Sequence, residues 1–115
     1  MILLVEDEAL IRLAASEMLR DAGFDVVKAS SAAEAMIALS AHSDVDMLFS
    51  DVELPGGPDG LTLAQTVHEK YPAVAILLTS GRTRPGSAEL PPGGRFVAKP
   101  YDEREVISLL RRKLH

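Results

Sequence analysis

The sequence predicts a doubly wound α/β fold: five parallel strands covered by helices on both faces, with a short or irregular fourth helix. Three observations carry this expectation. Short, largely apolar runs at residues 2–5, 45–50 and 74–79 have the look of strands buried in a parallel sheet. Segments with helical spacing alternate with them, in the order β-α-β-α-β-α-β-(α)-β-α. Parallel strands need crossovers, and right-handed crossovers make a five-stranded doubly wound sheet the economical arrangement.

Residues 2–5 form the first strand, which stops at Glu6-Asp7-Glu8. From about residue 8 to 22, Leu10, Ala14, Met18 and Ala22 recur at helical spacing with Ile11, Ala15 and Leu19 beside them. Gly23 follows, where a helix terminator belongs. Residues 24–28 make a weaker second strand. Ser31-Ala32-Ala33-Glu34 has the form of a capping box and opens an alanine-rich helix to about Ser40. The third strand, residues 45–50, runs into Asp51.

The glycines and prolines of residues 55–60 demand a loop. Asp59 is placed to cap the next helix, whose inner face carries Leu61, Ala64 and Val67 and which Tyr71-Pro72 ends. Residues 74–79 are the fourth strand. Residues 81–94 scatter glycine and proline and leave room only for a short helix. Residues 95–98 are a brief fifth strand. Asp102-Glu103-Arg104-Glu105 opens a last helix with Val106, Ile107, Leu109, Leu110 and Leu114 apolar. Its Arg111-Arg112-Lys113 tail complements the negative end of the helix dipole, a structural use for a basic run.

The 115 residues suit one domain spanning 1–115, and 47% hydrophobic content is enough for a core without disulfides. Cysteine is absent, which excludes thiolate metal sites and disulfides. A net charge of -5, from 17 acidic and 12 basic side chains, argues against direct nucleic-acid binding. No apolar run approaches the ~20 residues of a membrane helix. The opening residues do not resemble a signal peptide, so a cytoplasmic setting is expected. His42, His68 and His115 stand alone and share no motif.

In doubly wound sheets, ligands bind beyond the carboxyl ends of the strands. Glu6 and Asp7 follow the first strand, Asp51 the third, Thr79 and Ser80 the fourth, and Lys99 the fifth. Three carboxylates, a hydroxyl and an ammonium on one edge are more than packing would select. Clustered carboxylates protonate, separate or bind a cation. Hard oxygen donors without histidine or cysteine favour Mg²⁺ or a similar ion, which could neutralise charge on a transferred phosphoryl group. Taken singly, each residue has a plainer use: Asp7 as a helix N-cap, Asp51 as a loop acid, Lys99 as a solvated lysine. Their joint placement is what favours a site.

Four segments in order, Val5-Glu6-Asp7-Glu8, Asp51-Val52-Glu53-Leu54-Pro55, Leu78-Thr79-Ser80-Gly81 and Phe96-Val97-Ala98-Lys99-Pro100, resemble the receiver domain of bacterial two-component response regulators. The resemblance covers nearly the whole chain. It implies a flavodoxin-like sheet of order 2-1-3-4-5 in a CheY-like domain. It also implies Asp51 as phosphoacceptor, loaded from a phosphohistidine on a sensor histidine kinase or phosphotransfer protein. Glu6, Asp7, Asp51 and the backbone carbonyl of Glu53 would hold Mg²⁺, or Mn²⁺ in its place. Lys99 would meet the phosphoryl oxygens, with a cis bond to Pro100. Thr79 and Phe96 would form the switch that changes the partner surface, and Glu53 and Gly81 would tune the phosphoryl lifetime.

Two departures from the family stand out. The loop at residues 55–60 looks one residue longer than usual, and residues 81–94 lack a clear fourth helix, so familiar output partners do not carry over. The expected activity is self-catalysed phosphotransfer and slow self-dephosphorylation, not turnover. An aspartate-nucleophile phosphatase is the competing class, but it would place its nucleophile in Asp-x-Asp after the first strand, where this chain has Glu6-Asp7-Glu8. A receiver that docks without phosphorylation is a third possibility, opposed by the full acid-hydroxyl-lysine set. A nucleotide-binding protein would need a Gly-rich phosphate loop after the first strand.

Overall fold

The computed structural model describes residues 1–114; His115, one of the three isolated histidines, lies outside the described residues. Five strands form one parallel sheet of order β2-β1-β3-β4-β5, the arrangement the sequence led us to expect. In chain order they are β1 (Ile2–Val5), β2 (Val26–Ala29), β3 (Met47–Asp51), β4 (Ala75–Ser80) and β5 (Arg95–Ala98). The helices are α1 (Ala9–Asp21), α2 (Ala32–Ala41), α3 (Gly60–Lys70) and α4 (Glu103–Arg111). A single 3₁₀ turn, Ser87–Glu89, stands between β4 and β5 where a further helix could have been. Among the described residues, no helix is long and apolar enough to cross a membrane.

The sheet divides the core in two, because successive strand residues point to opposite faces. Leu3, Val5, Leu48, Ile76 and Leu78 pack on one side with α2 and α3 residues such as Ala35, Leu39, Leu63 and Val67. Ile2, Leu4, Phe49 and Leu77 pack on the other with Leu19 of α1 and Val106, Leu109 and Leu110 of α4.

Helix ends follow local chemistry. Gly23, at φ 97°, turns the chain out of α1, and the Phe24 N–H bonds back to the Leu19 carbonyl. Ser31 Oγ accepts from the Glu34 N–H, as a capping box requires. The return bond, however, is displaced by one residue: Glu34 Oε1 accepts from the Ser30 N–H and from the Ser30 hydroxyl, both at 2.8 Å. Asp59 caps α3 through the Thr62 N–H, and Asp102 caps α4 through the Arg104 N–H, each at 2.8 Å.

The α1 stripe differs from expectation. Ala15, Ser16 and Leu19 are buried, whereas Leu10 is 81% exposed. Leu10 lies in the first turn of α1, which opens just after β1 ends at Val5. The basic tail makes structural contacts: Arg111 donates to the Ala22 carbonyl at the end of α1, and Lys113 pairs with Asp46.

Gly60 opens α3 against the backbone of β3. Its N–H bonds to the Val52 carbonyl at 2.7 Å, and an added Cβ would fall 2.0 Å from the Asp51 carbonyl oxygen. Only a residue without a side chain permits that approach. Gly60→Ala is expected to destabilise the protein by about 1–3 kcal/mol, as overpacking does. Thermal denaturation by circular dichroism would measure it, and an unchanged Tm would refute this close packing.

Candidate functional site

The parallel register brings the strand ends level. Val5 pairs with Ser50, Asp51 with Thr79, and Ser80 with Ala98. The residues leaving each strand therefore open on one edge of the sheet. Glu6, Asp7, Asp51, Glu53, Gly81 and Lys99 line one cleft of about 660 Å³ there.

Lys99 Nζ lies 2.9 Å from Glu6 Oε1 and 3.1 Å from Asp51 Oδ2. One carboxylate oxygen from each of Glu6, Asp7 and Asp51 falls within 4.8 Å of the others. Glu6 and Asp51 are only 4% and 8% exposed, whereas Asp7 is open to solvent, so the cluster has a buried floor and an accessible rim. Burial, joined by the charge of Asp51 and a hydrogen bond with Asp7, holds the Glu6 carboxyl above its ordinary range against the hydrogen bond and charge of Lys99. Burial alone would lower the pKa of Lys99, but Glu6 and Asp51 outweigh it and hold the ammonium protonated. The cluster is short of positive charge, a condition that a cation relieves.

Among the described residues, four buried side-chain oxygens have no hydrogen-bond partner: Ser16 Oγ, Asp51 Oδ1, Glu53 Oε2 and Thr79 Oγ1. Three of the four belong to residues singled out for the site. Buried polar atoms are nearly always paired, so this concentration is what a ligand site looks like. Carboxylate donors short of positive charge fit a hard divalent ion such as Mg²⁺, and Asp7 and Asp51 with Glu6 beside them are the residues that could hold it.

The remaining expectations separate. Thr79 is buried at the level of Asp51 but lines a small cavity of about 20 Å³ beneath the cleft, beside Glu6, Lys99 and Tyr101. Gly81 is at the rim, where an added Cβ would meet only Lys99 Cβ at 3.8 Å. Phe96 is away from the cleft, half-buried on the α2–α3 side with Leu90. His42 and His68 lie outside it as well. The Lys99–Pro100 bond is cis. Asp7 does not cap α1, because Glu8 is the N-cap and no side chain bonds there.

Three contributors escaped the sequence reading. Arg12 Nη1 donates to the carbonyls of Glu6 at 2.8 Å and Asp7 at 3.3 Å, bracing the backbone that carries both acids. Its place one turn into α1 was the available signal. Ser80, noticed only as a strand-end hydroxyl, bonds to the Glu53 carboxylate. Gly60 lets α3 press on the Asp51 backbone.

The model of the response regulator receiver domain matches residues 2–111. The chain therefore belongs to the receiver domain family, the phosphoacceptor domains of two-component response regulators, which are signalling units and not classical enzymes. It is 35% identical to the transcriptional regulatory protein AruR of Pseudomonas aeruginosa over 126 residues, covering 99% of this chain and 50% of that protein. It is 30% identical to the sensor kinase CckA of Brucella abortus over 117 residues, covering 98% of this chain but 12% of that protein. The chain thus spans half or less of these two relatives. Among solved structures, a response regulator receiver protein from Sinorhizobium medicae superposes with a TM-score of 0.89 at 31% identity, covering 98% of this chain and 92% of that one.

The raised Glu6 pKa carries a sign. Its folded carboxyl holds a proton to higher pH than the ordinary 4.5, so protonation favours the fold below that value. This contribution is lost as pH rises through the folded pKa. Glu6→Gln is therefore expected to raise Tm at neutral pH without added metal. Wild type should gain about 1.4 kcal/mol, roughly 6 °C, at a Mg²⁺ concentration tenfold above its Kd, and Glu6→Gln less. Differential scanning fluorimetry with and without Mg²⁺ tests both points; a wild-type Tm indifferent to Mg²⁺ would count against a cation site.

Proposed function

We propose that this chain is a phosphorylation-controlled switch: Asp51 accepts a phosphoryl group from a phosphohistidine on a sensor kinase or phosphotransfer protein. The observation that carries the reading is the state of Asp51. One carboxylate oxygen is paired to Lys99 while Oδ1 is buried without a partner, beside two further acids. A carboxylate fixed on one side and open on the other suits in-line attack on phosphorus. Similarity to a sensor kinase and to a regulator supports placement in two-component signalling.

Asp7 and Asp51, with the Glu53 carbonyl and Glu6 beside them, would hold Mg²⁺ or Mn²⁺. The ion would supply charge neutralisation for the transferring group. Lys99 supplies a positive charge from the opposite side and can exchange a carboxylate partner for phosphoryl oxygens. Thr79 Oγ1 donates to a phosphoryl oxygen after a side-chain rotation, and Phe96 repacks in response, changing the surface around residues 81–94. Glu53 orders the attacking water and Gly81 leaves it room, together setting the lifetime of the phosphoryl group. The unit acts in the cytoplasm as one domain of residues 1–115, through protein contacts and not through nucleic acid or membrane.

Incubation with a small phosphodonor and Mg²⁺, followed by intact mass, should add one phosphoryl group to wild type and none to Asp51→Asn. Catalytic turnover of a phosphate ester would instead favour a hydrolase. Glu53→Ala is expected to slow phosphoryl loss by about tenfold, the value of one charged hydrogen bond. First-order decay of the phosphoprotein measures it, and an unaltered rate would remove Glu53 from the mechanism.

A further inference from the structure

Ser80 closes β4, is 2% exposed, and uses its hydroxyl three times. It donates to Glu53 Oε1 and accepts from the backbone N–H groups of Arg82 at 3.0 Å and Thr83 at 2.8 Å. The donor and both lone pairs are thereby committed. One oxygen atom thus fastens the carboxylate of the β3–α3 loop to the first residues of the irregular segment at 81–94. Glu53, Arg82 and Thr83 line the same cleft as Asp51, and Glu53 Oε2 is buried without a partner.

We propose that Ser80 is a positioning residue for phosphoryl loss from Asp51, aiming Glu53 at the attacking water and coupling that aim to the segment 81–94. The inference rests on Asp51 being the phosphoacceptor. In the step, the water oxygen bonds to phosphorus as the bond from phosphorus to the Asp51 carboxylate oxygen breaks. The bonding pair leaves with Asp51, and both water protons depart with the phosphate as dihydrogen phosphate. Glu53 accepts a hydrogen bond from the water through Oε2 and keeps its protonation state.

With Oε1 fastened to Ser80, the carboxylate is confined to one orientation. Released, it spreads over several rotamers and holds the water less well. A partner that draws Arg82 and Thr83 outward strips two donors from Ser80 and loosens its hold on Glu53. Engagement of the segment 81–94 therefore lengthens the phosphoryl lifetime.

The test is a kinetic cycle on the phosphorylated full chain. Ser80→Ala should slow phosphoryl loss by roughly 3- to 10-fold, the effect of one ordinary hydrogen bond. Ser80→Thr, which keeps the hydroxyl, should restore the rate to within about twofold. Ser80→Ala combined with Glu53→Ala should be no slower than Glu53→Ala alone, whereas a merely structural serine would give additive effects. An unchanged Ser80→Ala rate, or additivity, overturns the proposal while leaving Asp51 as phosphoacceptor. A wild type that gains no phosphoryl group overturns both readings together. Should Ser80→Ala fail to fold, Glu53→Ala is expected to speed amide exchange at Arg82 and Thr83 through the shared hydroxyl. Unaltered exchange there refutes the coupling.

Discussion

Lys99 reaches across the sheet edge to carboxylates 93 and 48 residues earlier in the chain, and the rest of the site is arranged around that reach. Its ammonium neutralises one charge of an acidic cluster that would otherwise repel itself apart. Two acids share the single base, so the pairing holds the cluster together without satisfying it. Burial keeps the shortfall acute: together with the charge of Asp51 and the hydrogen bond with Asp7, it holds the Glu6 pKa raised in spite of Lys99. A surface ion pair would gain little from this geometry; here Glu6 and Asp51 are under a tenth exposed and water screens less.

The parallel sheet is what makes that convergence possible. Each strand enters from the same end, so the residue after each strand arrives at the same edge. β3 is central and delivers Asp51; β1 on one side of it delivers Glu6 and Asp7, and β4 on the other delivers Thr79 in direct register with Asp51. Gly60 then lets α3 close on the Asp51 backbone, and Arg12 ties the first helix to the acids of β1. The surrounding core fixes these positions, because Phe49, Leu77 and Leu78 are fully buried just beneath them.

Much of this was legible in the sequence, for reasons that can be stated. Apolar runs ending in acids marked β1 and β3, the cap expected at Asp59 bonds as such, and the last helix opens at Asp102 where the sequence placed its start. Strand-end position alone gathered Glu6, Asp7, Asp51 and Lys99, because a parallel sheet converts order in sequence into proximity. Contacts between loops and side chains separated by many residues were not legible. Ser80 meets Glu53 across 27 residues, and no periodicity reports such a bond. The exposure of Leu10 was hidden for a related reason. Helical spacing gives the angle of a side chain but not whether a strand lies beneath it.

The segment between β4 and β5 bears most directly on how a phosphate at Asp51 would be sensed. In place of a helix it has one 3₁₀ turn, whose Gly86 N–H bonds to Glu89 Oε1, and a bond from Gln65 Nε2 to the Glu89 carbonyl. A packed helix would resist rearrangement through a continuous ladder of backbone bonds. This segment is fastened at discrete points, at Ser80 on one side and through Glu89 to α3 on the other, so its cost of rearrangement is local. Of these fastenings, Ser80 is the one that also bonds to Glu53, a residue lining the acidic cleft. The bonds from Glu53 through Ser80 to the Arg82 and Thr83 N–H groups thus link a residue lining the acidic cleft to this segment by a short route that does not involve Phe96.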